Sequence, residues 1–251
     1  MEKDLTDYSE YHMTIKEKIL YTFLAMIVIF VIVFIFYHKI SISLILCTTA
    51  LIYPKIKRKE IIEKRKYSLN LQFKDMLYSL SSSLNAGKSV ELSFREIHQD
   101  LSVIYIDPNT DILIETQVIL RKLKMNETIE SALTDFSNRA HIEDITNFVD
   151  VFNICKRTGG NIIEIIKNTS NIINDKIEKK EEINIILSER KLEQKILTSL
   201  PVFMVILLTF TVPEYIAPVF KDSKGIVAMT VSIVFLLIAY VISKKIVSII
   251  V

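Results

Sequence analysis

Few residues in this sequence have the types and the spacing that catalytic chemistry requires. No phosphate-binding loop of the form G-x-x-x-x-G-K or G-x-G-x-x-G occurs, and no G-x-S-x-G turn that would present a nucleophilic serine. The histidines show no metal-ligand spacing; they are His12, His38, His98 and His141. We therefore expect no catalytic residue, no metal site, no bound cofactor and no enzymatic activity.

A few acids and thiols need separate consideration. Asp107 and Asp111 flank a Pro-Asn turn and have the oxygen ligands that a cation needs, but a solvated loop is the commoner use of such a turn. Glu214 follows a long apolar run, where an acid suggests ion transport only if it lies inside a membrane; we place it at the interface. Cys47 and Cys155 are interpreted as two small buried apolar residues without a disulfide.

Composition indicates a membrane protein with a separate polar region. Half of the 251 residues are hydrophobic and the mean hydropathy is +0.35, yet 24% of the residues are charged. These values are compatible only if apolar and charged residues are segregated along the chain. The net charge of +2 is too small to argue for nucleic-acid binding.

Uncharged apolar runs predict four transmembrane helices. They cover residues 19–37, 40–53, 196–212 and 226–242. The first is long enough to cross the hydrocarbon core and lacks the cleavage site of a signal peptide. The second has only about 14 residues, so it must cross with bilayer thinning or with charged ends that reach the interface.

The basic residues predict how these helices are oriented. Seven Lys or Arg and only two Glu lie between residues 55 and 66, directly after the second run. By the positive-inside rule this cluster is cytoplasmic, with a further attraction to anionic lipid. We expect both termini in the cytoplasm of a cell-membrane (inner or plasma membrane) protein. The predicted regions are a cytoplasmic segment 1–18, a transmembrane hairpin 19–53, a cytoplasmic helical domain 54–195 with its core at about 70–180, a second hairpin 196–243 and a tail 244–251.

The long region between the hairpins reads as six amphipathic helices. Apolar residues recur every three or four positions in six stripes, which begin at Phe73, Val90, Ile112, Ile129, Ile145 and Ile162. Turn residues separate the stripes, with Gly87 suited to end one helix and Ser89 to cap the next. Asn126 can end the third helix or cap the fourth. The fold class predicted is therefore all-α: four transmembrane helices and a cytoplasmic six-helix bundle.

The last of these helices is unusually long. It has no breaker between Asn161 and Pro201, although its apolar stripe fades after Ile177 and a run of charges follows. We interpret it as a solvated helical stalk that continues into the third span. A break near Asn184 is the alternative.

Three motifs, in order along residues 70–220, resemble the type II secretion system F family. They are Asn85-Ala86-Gly87-Lys88-Ser89-Val90-Glu91-Leu92-Ser93-Phe94, then Lys156-Arg157-Thr158-Gly159-Gly160-Asn161, then Leu200-Pro201 with Pro213-Glu214-Tyr215-Ile216-Ala217-Pro218-Val219-Phe220. The last of these is similar to the tight-adherence branch, protein B type. Asn126 stands where that branch commonly has Gly.

The resemblance implies a platform protein in the inner membrane, for a type IV or tight-adherence pilus or a type II secretion-like machine. Such a protein couples a cytoplasmic ATPase to the assembly of pilin subunits. The expected partners are that ATPase, prepilin or pilin, and a second platform protein or another copy of the chain. The alternatives are a membrane-anchored signalling or regulatory protein with a helical domain, and a small transporter, although the spans hold few polar residues.

The turn formed by Lys156, Arg157, Thr158, Gly159, Gly160 and Asn161 is the predicted partner-binding site. Paired glycines in a chain with only four glycines indicate positive φ or the close approach of a partner, because glycine loses the most backbone entropy on folding. Lys156 and Arg157 would pair with acids on the ATPase. A helix C-cap with one spare glycine is the competing interpretation.

Overall fold

The computed structural model describes residues 6–249, in which helices are joined by short turns and loops and no strand occurs. The helices are α1 (Ile15–Tyr37), α2 (Ile40–Cys47), α3 (Tyr53–Asn85), α4 (Val90–Ile104), α5 (Asp111–Lys124), α6 (Ile129–Ala140), α7 (Glu143–Thr158), α8 (Ile162–Thr211), α9 (Pro213–Lys221) and α10 (Ser223–Ile249). A short 3-10 helix, Thr48–Ile52, joins α2 to α3. The all-α prediction is confirmed for these residues.

The chain divides into two compact units, and each unit is formed by two separate stretches of the sequence. The helical unit comprises residues 6–12 and Arg58–Glu178, and therefore contains α4 to α7, most of α3 and the first part of α8. The span unit comprises Met13–Lys57 and residues 179–249. The helical unit thus includes a short N-terminal segment that precedes α1.

The predicted apolar stripes supply the core of the helical unit. Its centre is a set of fully buried phenylalanines, in which the ring of Phe73 lies 5.5 Å from that of Phe148 and 6.1 Å from that of Phe136. The Phe152 ring lies 5.7 Å from that of Phe148 and is tilted by 37° relative to it. Each of the six helices contributes buried residues to this cluster. The period of three to four residues is therefore a correct guide to which face of each helix is covered.

The turns between these helices follow the predicted chemistry. Gly87 has a positive φ of 81° after α3, and the Ser89 hydroxyl accepts the N–H of Leu92 at the start of α4. Asn126 has φ 63°, so it ends α5 in the left-handed conformation, while Thr128 caps α6. Asn tolerates this conformation better than most residues, which makes it an acceptable replacement for glycine.

The span unit holds two pairs of apolar segments. Four helical stretches are long and apolar enough to cross a membrane: Ile15–Tyr37, Ile40–Asn85 (α2, the 3-10 helix and α3 together), Ile162–Thr211 and Lys224–Ser243. α1 and α2 pack as a hairpin, and the Cys47 thiol donates to the Met26 carbonyl at 3.5 Å. The chain is therefore consistent with a multi-pass membrane protein.

The turns at one end of the span unit are in contact. The His38 ring, which ends α1, stacks on Phe220 of α9 with centroids 4.1 Å apart. The Tyr37 hydroxyl donates to Thr230 Oγ1 of α10 at 2.9 Å. These contacts place the α1–α2 turn beside the α9–α10 turn.

The residues between the third and fourth predicted spans contain a helix, α9, that the sequence analysis does not predict. Pro213 occupies its first turn, where the missing N–H costs no hydrogen bond. Gly225, in the first turn of α10, permits a tight reversal, since a Cβ there would lie 2.3 Å from the Val219 carbonyl oxygen. The apolar Pro-Glu-Tyr-Ile-Ala-Pro-Val-Phe sequence is therefore a short helix that packs on α10.

The long helix α8 is continuous from Ile162 to Thr211, a length of 50 residues. It passes through Asn184 without interruption, so the alternative of a break there is wrong. Pro201 also lies inside the helix. One helix therefore begins at the predicted partner-binding turn and ends in the third span.

Candidate partner-binding turn and a buried polar network

The two glycines of the candidate turn have different conformations. Gly159 is the left-handed residue, with φ 72°, and its N–H bonds the Cys155 carbonyl at the end of α7. The N–H of Gly160 also bonds that carbonyl, at 3.0 Å. Bonds of this kind satisfy carbonyls that a helix end would otherwise leave unpaired. Positive φ is therefore required at Gly159 and not at Gly160.

Gly160 is constrained by a neighbouring side chain instead. A Cβ at this position would lie 2.6 Å from Cys155 Sγ, well inside van der Waals contact. Cys155 is itself buried, with 4% of its surface exposed. Contacts within the chain therefore explain why both positions are glycine, which favours the helix-cap interpretation of the pair.

Thr158 and Asn161 complete the turn with local hydrogen bonds. The Thr158 hydroxyl donates to the Ile154 carbonyl at 3.0 Å. Asn161 Oδ1 accepts the Glu164 N–H at 3.3 Å, which caps α8 as its spacing predicts. The Glu164 carboxylate bonds the Asn161 side-chain amide, not its backbone N–H, so the reciprocal half of a capping box is replaced.

The two cations of the turn are not equivalent. Lys156 Nζ lies 3.0 Å from a Glu130 carboxylate oxygen and 3.7 Å from one of Glu91, and the lysine is less than one-third exposed. Burial raises the pKa of Glu130, but its hydrogen bonds to its own N–H and to Lys156 outweigh burial and lower that pKa. Arg157 is exposed and makes no ion pair with any described residue. Arg157 is therefore the cation that remains available to a partner.

A small apolar groove opens beside the turn. It has a volume of about 290 Å³ and lies between the last two turns of α7 and the start of α8. Ile154 and Val151 lie at its rim, with 59% and 44% of their surfaces exposed. One branched aliphatic side chain of a partner would fit a groove of this size, with Arg157 close by along α7.

A second polar cluster lies in the helical unit and has no counterpart in the sequence analysis. Glu115 of α5 is 1% exposed, and both of its oxygens accept 2.6 Å hydrogen bonds from Arg139 of α6. The Tyr8 hydroxyl donates to the same carboxylate at 2.9 Å, and Tyr8 N–H donates to the Arg139 carbonyl at 3.0 Å. Arg139 also bonds the Thr6 carbonyl at 3.3 Å. The N-terminal segment is thereby docked on the helical unit.

Arg65 extends this network from α3. Its guanidinium lies 4.8 Å from the centroid of the Tyr8 ring, in cation–π geometry. The same group donates to both oxygens of Asp111, at 3.1 and 2.6 Å. Asp111, which we considered as a cation ligand with Asp107, is therefore paired with Arg65. Among the described residues, no cluster of three His, Cys, Asp or Glu side chains could hold a metal ion.

The hydrogen bonds of this network hold α5, α6 and the N-terminal segment together. Burial raises the pKa of the Tyr8 phenol, and the negative charges of Glu115 and Asp111 raise it further, so Tyr8 is a neutral hydrogen-bond donor. The sequence contains one signal for this network: the third stripe runs from Ile112 to Ile119, with Glu115 at a core-facing position between them. An acid at a stripe position indicates a buried, paired carboxylate. Nothing comparable identifies Tyr8, which lies in a polar segment without periodicity.

No protein family, curated protein or solved structure matches the chain.

Proposed function

We propose that this chain is a platform protein of the inner membrane, for a type IV or tight-adherence pilus or a type II secretion-like machine. It receives work from a cytoplasmic ATPase and acts on prepilin or pilin subunits in the membrane. The observation that carries the proposal is the 50-residue helix α8, which begins at the Thr158–Asn161 turn and ends in the third span. An ATPase that displaces this turn acts on the same helix that enters the membrane.

The binding surface for the ATPase is the turn with its groove. Arg157 supplies an uncommitted positive charge, and the apolar groove beside Ile154 accepts one aliphatic side chain. An acidic residue next to a Leu or Ile on the ATPase matches this pair of features. Lys156 positions the end of α7 through Glu130 and Glu91 and contributes little to binding.

In the proposed topology, both termini and the region 54–195 are cytoplasmic and the two short turns are outside. Residues 6–12 and Arg58–Glu178 fold as one unit, so an even number of crossings must lie between them. The contact between His38 and Phe220 supports a common location for the two turns. The basic cluster at 55–66 then lies at the cytoplasmic surface, where it attracts anionic lipid.

Binding of the ATPase tests the proposed surface most directly. Full-length protein in nanodiscs is titrated with a purified secretion ATPase from the same organism. Arg157→Glu should weaken the complex about tenfold and reduce its dependence on salt, because an attractive charge pair is lost. Arg95→Glu, an exposed arginine on α4, should change binding less than twofold. Equal effects of the two reversals would contradict the assignment of the surface.

Labelling of single cysteines tests the topology. In a cysteine-free background, Lys59→Cys and Lys221→Cys should react with a membrane-impermeant maleimide from opposite sides of the membrane. Lys59 follows the second span, and Lys221 lies in the turn before the fourth. Labelling of both from the same side would overturn the four-span arrangement.

The chain itself should not consume ATP. Purified protein in nanodiscs should show neither ATP hydrolysis nor saturable binding of radiolabelled ATP, whereas the isolated ATPase should show both. Saturable binding to the platform protein alone would contradict this division of labour.

A further inference from the structure

The loop between α4 and α5 exposes three apolar side chains within four residues. Val103, Ile104 and Ile106 have 82%, 56% and 93% of their surfaces exposed. Tyr105, between them, packs on the core and donates its hydroxyl to Asp75 at 2.6 Å. A single exposed aliphatic residue is common on a protein surface, but a contiguous apolar group marks a surface that binds a partner. We refer to Val103, Ile104 and Ile106 as the loop patch.

Hydrogen bonds hold the loop in a shape that presents the patch. Tyr105 is fixed through its hydroxyl before Ile106. After Ile106, the Asp107 carboxylate accepts the Asn109 N–H at 2.9 Å, and the Asp107 carbonyl accepts the Thr110 N–H at 3.0 Å. Ile106 is therefore exposed between two anchored residues. A surface that is already formed before binding costs less conformational entropy when a partner docks on it.

The charge around the loop patch is negative. Residues 96–120 contain five acids and no Lys or Arg. Three of these acids are paired with cations elsewhere in the helical unit. The other two, Asp100 and Asp107, are exposed and form no ion pair with any described residue. Asp100 lies one helical turn before Val103, and Asp107 directly follows Ile106. A complementary partner therefore combines aliphatic with basic side chains.

The loop patch lies near the point where α3 enters the helical unit. Arg65, in the first part of α3 within this unit, donates to both oxygens of Asp111, which follows the loop. Arg65 is 12 residues after Tyr53, where the second apolar run ends, and this separation is about 18 Å along a helix. Lipid headgroups extend only about 5–8 Å beyond the hydrocarbon core. A protein segment therefore reaches the patch more readily than lipid does, and anionic lipid is also repelled by the two acids.

A basic segment at this distance from the bilayer is a common feature of membrane proteins, which carry Lys and Arg in the cytoplasmic stretches next to their spans. We propose that the loop patch docks the basic cytoplasmic flank of another membrane-anchored protein. Aliphatic residues of the flank contact the patch, and its Lys or Arg side chains lie beside Asp100 and Asp107. A flank of about six extended residues covers the distance. The proposal rests on the cytoplasmic location of the helical unit proposed above, which the cysteine labelling tests separately, and not on a role in pilus assembly.

Resonance energy transfer in proteoliposomes tests the docking with a defined probe. The probe is a synthetic peptide with a span of about 20 Leu and Ala residues and the same flank of alternating Lys and Ile at both ends, so its orientation in the bilayer does not matter. The donor is attached at Gln99→Cys in full-length protein that lacks Cys47 and Cys155, and the acceptor is attached to the flanks. In phosphatidylcholine, this peptide should associate about fivefold more tightly than one with Glu in place of Lys.

Two double variants separate the apolar part of the surface from its charged part. Val103→Ser with Ile106→Ser should weaken the association of the basic peptide about fivefold, because the aliphatic contacts are lost. Asp100→Asn with Asp107→Asn should weaken it about threefold and reduce its dependence on salt, because the attractive charges are lost.

The controls are matched changes elsewhere in the helical unit. Met125→Ser alters another exposed apolar residue and Asp150→Asn another exposed acid, and each should change the association less than about twofold. No association of the basic peptide, equal association of the basic and acidic peptides, or loop variants that behave like the controls would each overturn the proposal. Quenching of a fluorophore on Ile106→Cys by brominated acyl chains, without peptide, would assign the patch to lipid and overturn it as well. None of these results would alter the binding of the ATPase, which tests the platform function independently.

Discussion

Most phenylalanine side chains of the span unit are exposed or partly exposed, Phe36 being buried, whereas those of the helical unit are fully buried. In the helical unit, Phe73 and Phe152 have 0% of their surfaces exposed, whereas Phe203 and Phe210 on α8 in the span unit are 61% and 84% exposed. The residue type is the same, but the solvent differs. Water forces the helical unit to cover its aromatic rings with its own chain, while lipid covers rings that face outward from a span.

Buried charge shows the same contrast between the units. The helical unit contains the Glu115 carboxylate, fully buried and held by Arg139 and Tyr8. The apolar runs of the span unit contain no charged residue between Ile19 and Tyr37 or between Ile196 and Val212. Packing and polar pairing within the helical unit therefore determine its fold. The surfaces of the spans remain available to lipid, to another copy or to a substrate.

The largest effect that separates the two units should come from truncating a buried ring. Phe152→Ala should lower the free energy of unfolding of the helical unit by about 3–5 kcal/mol, because it removes a fully buried ring and leaves a cavity. Phe210→Ala, the control in the span unit, should cost less than about 1 kcal/mol. Pulse proteolysis of full-length protein in detergent measures both. Equal losses would mean that the contrast in burial has no energetic consequence.

The next largest effect should come from the buried ion pair. Glu115→Gln should destabilise the helical unit by about 2–3 kcal/mol, because Arg139 keeps its charge and loses its buried partner at 2.6 Å, and retains only the more exposed Asp135 at 3.2 Å. The double variant Glu115→Leu with Arg139→Met should be less destabilised than Glu115→Gln, since no unpaired charge remains. Thermal unfolding in detergent gives the order of the variants. The reverse order would show that the pair contributes directly to stability.

The helices of the helical unit could be predicted because the apolar spacing and the turn residues indicate the same helices. The stripes that begin at Phe73, Val90 and Ile145 identify buried faces, and Gly87 and Ser89 adopt the cap geometries expected of them. The helix α9 was not predicted, because two prolines lie within nine residues; a proline in the first turn, such as Pro213, is nevertheless compatible with a helix.

The candidate site was predicted as a location but not in its detailed contacts. The Gly-Gly turn identifies the junction between α7 and α8, and the cap formed by Asn161 follows from spacing. The pairing of Lys156 with Glu130 joins residues that are far apart in sequence, so no local pattern shows it. Tyr8 illustrates the same limit, because its partners are 107 and 131 positions away along the chain.

A smaller loss of stability is expected at the Thr158–Asn161 turn, where the helix-cap interpretation can be tested at Gly160. Gly160→Ala should destabilise the helical unit by about 2 kcal/mol, because the added Cβ would lie 2.6 Å from Cys155 Sγ. Cys155→Ala removes that sulfur, so the double variant should lose at least about 1 kcal/mol less than the sum of the two single losses. Strictly additive losses would point instead to the backbone at Gly160. A folded Gly160→Ala, Cys155→Ala protein that no longer binds the ATPase would assign a binding role to the turn.

The smallest effect compares two tyrosine hydroxyls, one in each unit. Tyr8→Phe removes only the bond to Glu115 and keeps the ring beneath Arg65, so it should cost the helical unit about 1 kcal/mol. Tyr37→Phe removes an exposed bond of the same length to Thr230 in the span unit and should cost less than about 0.5 kcal/mol. Because Tyr8 also docks residues 6–12, Tyr8→Phe should increase hydrogen exchange at the amide of Tyr8, which bonds Arg139. Unchanged exchange at that amide would show that the backbone contacts of the segment are sufficient to hold it, and the phenol would then stabilise Glu115 alone.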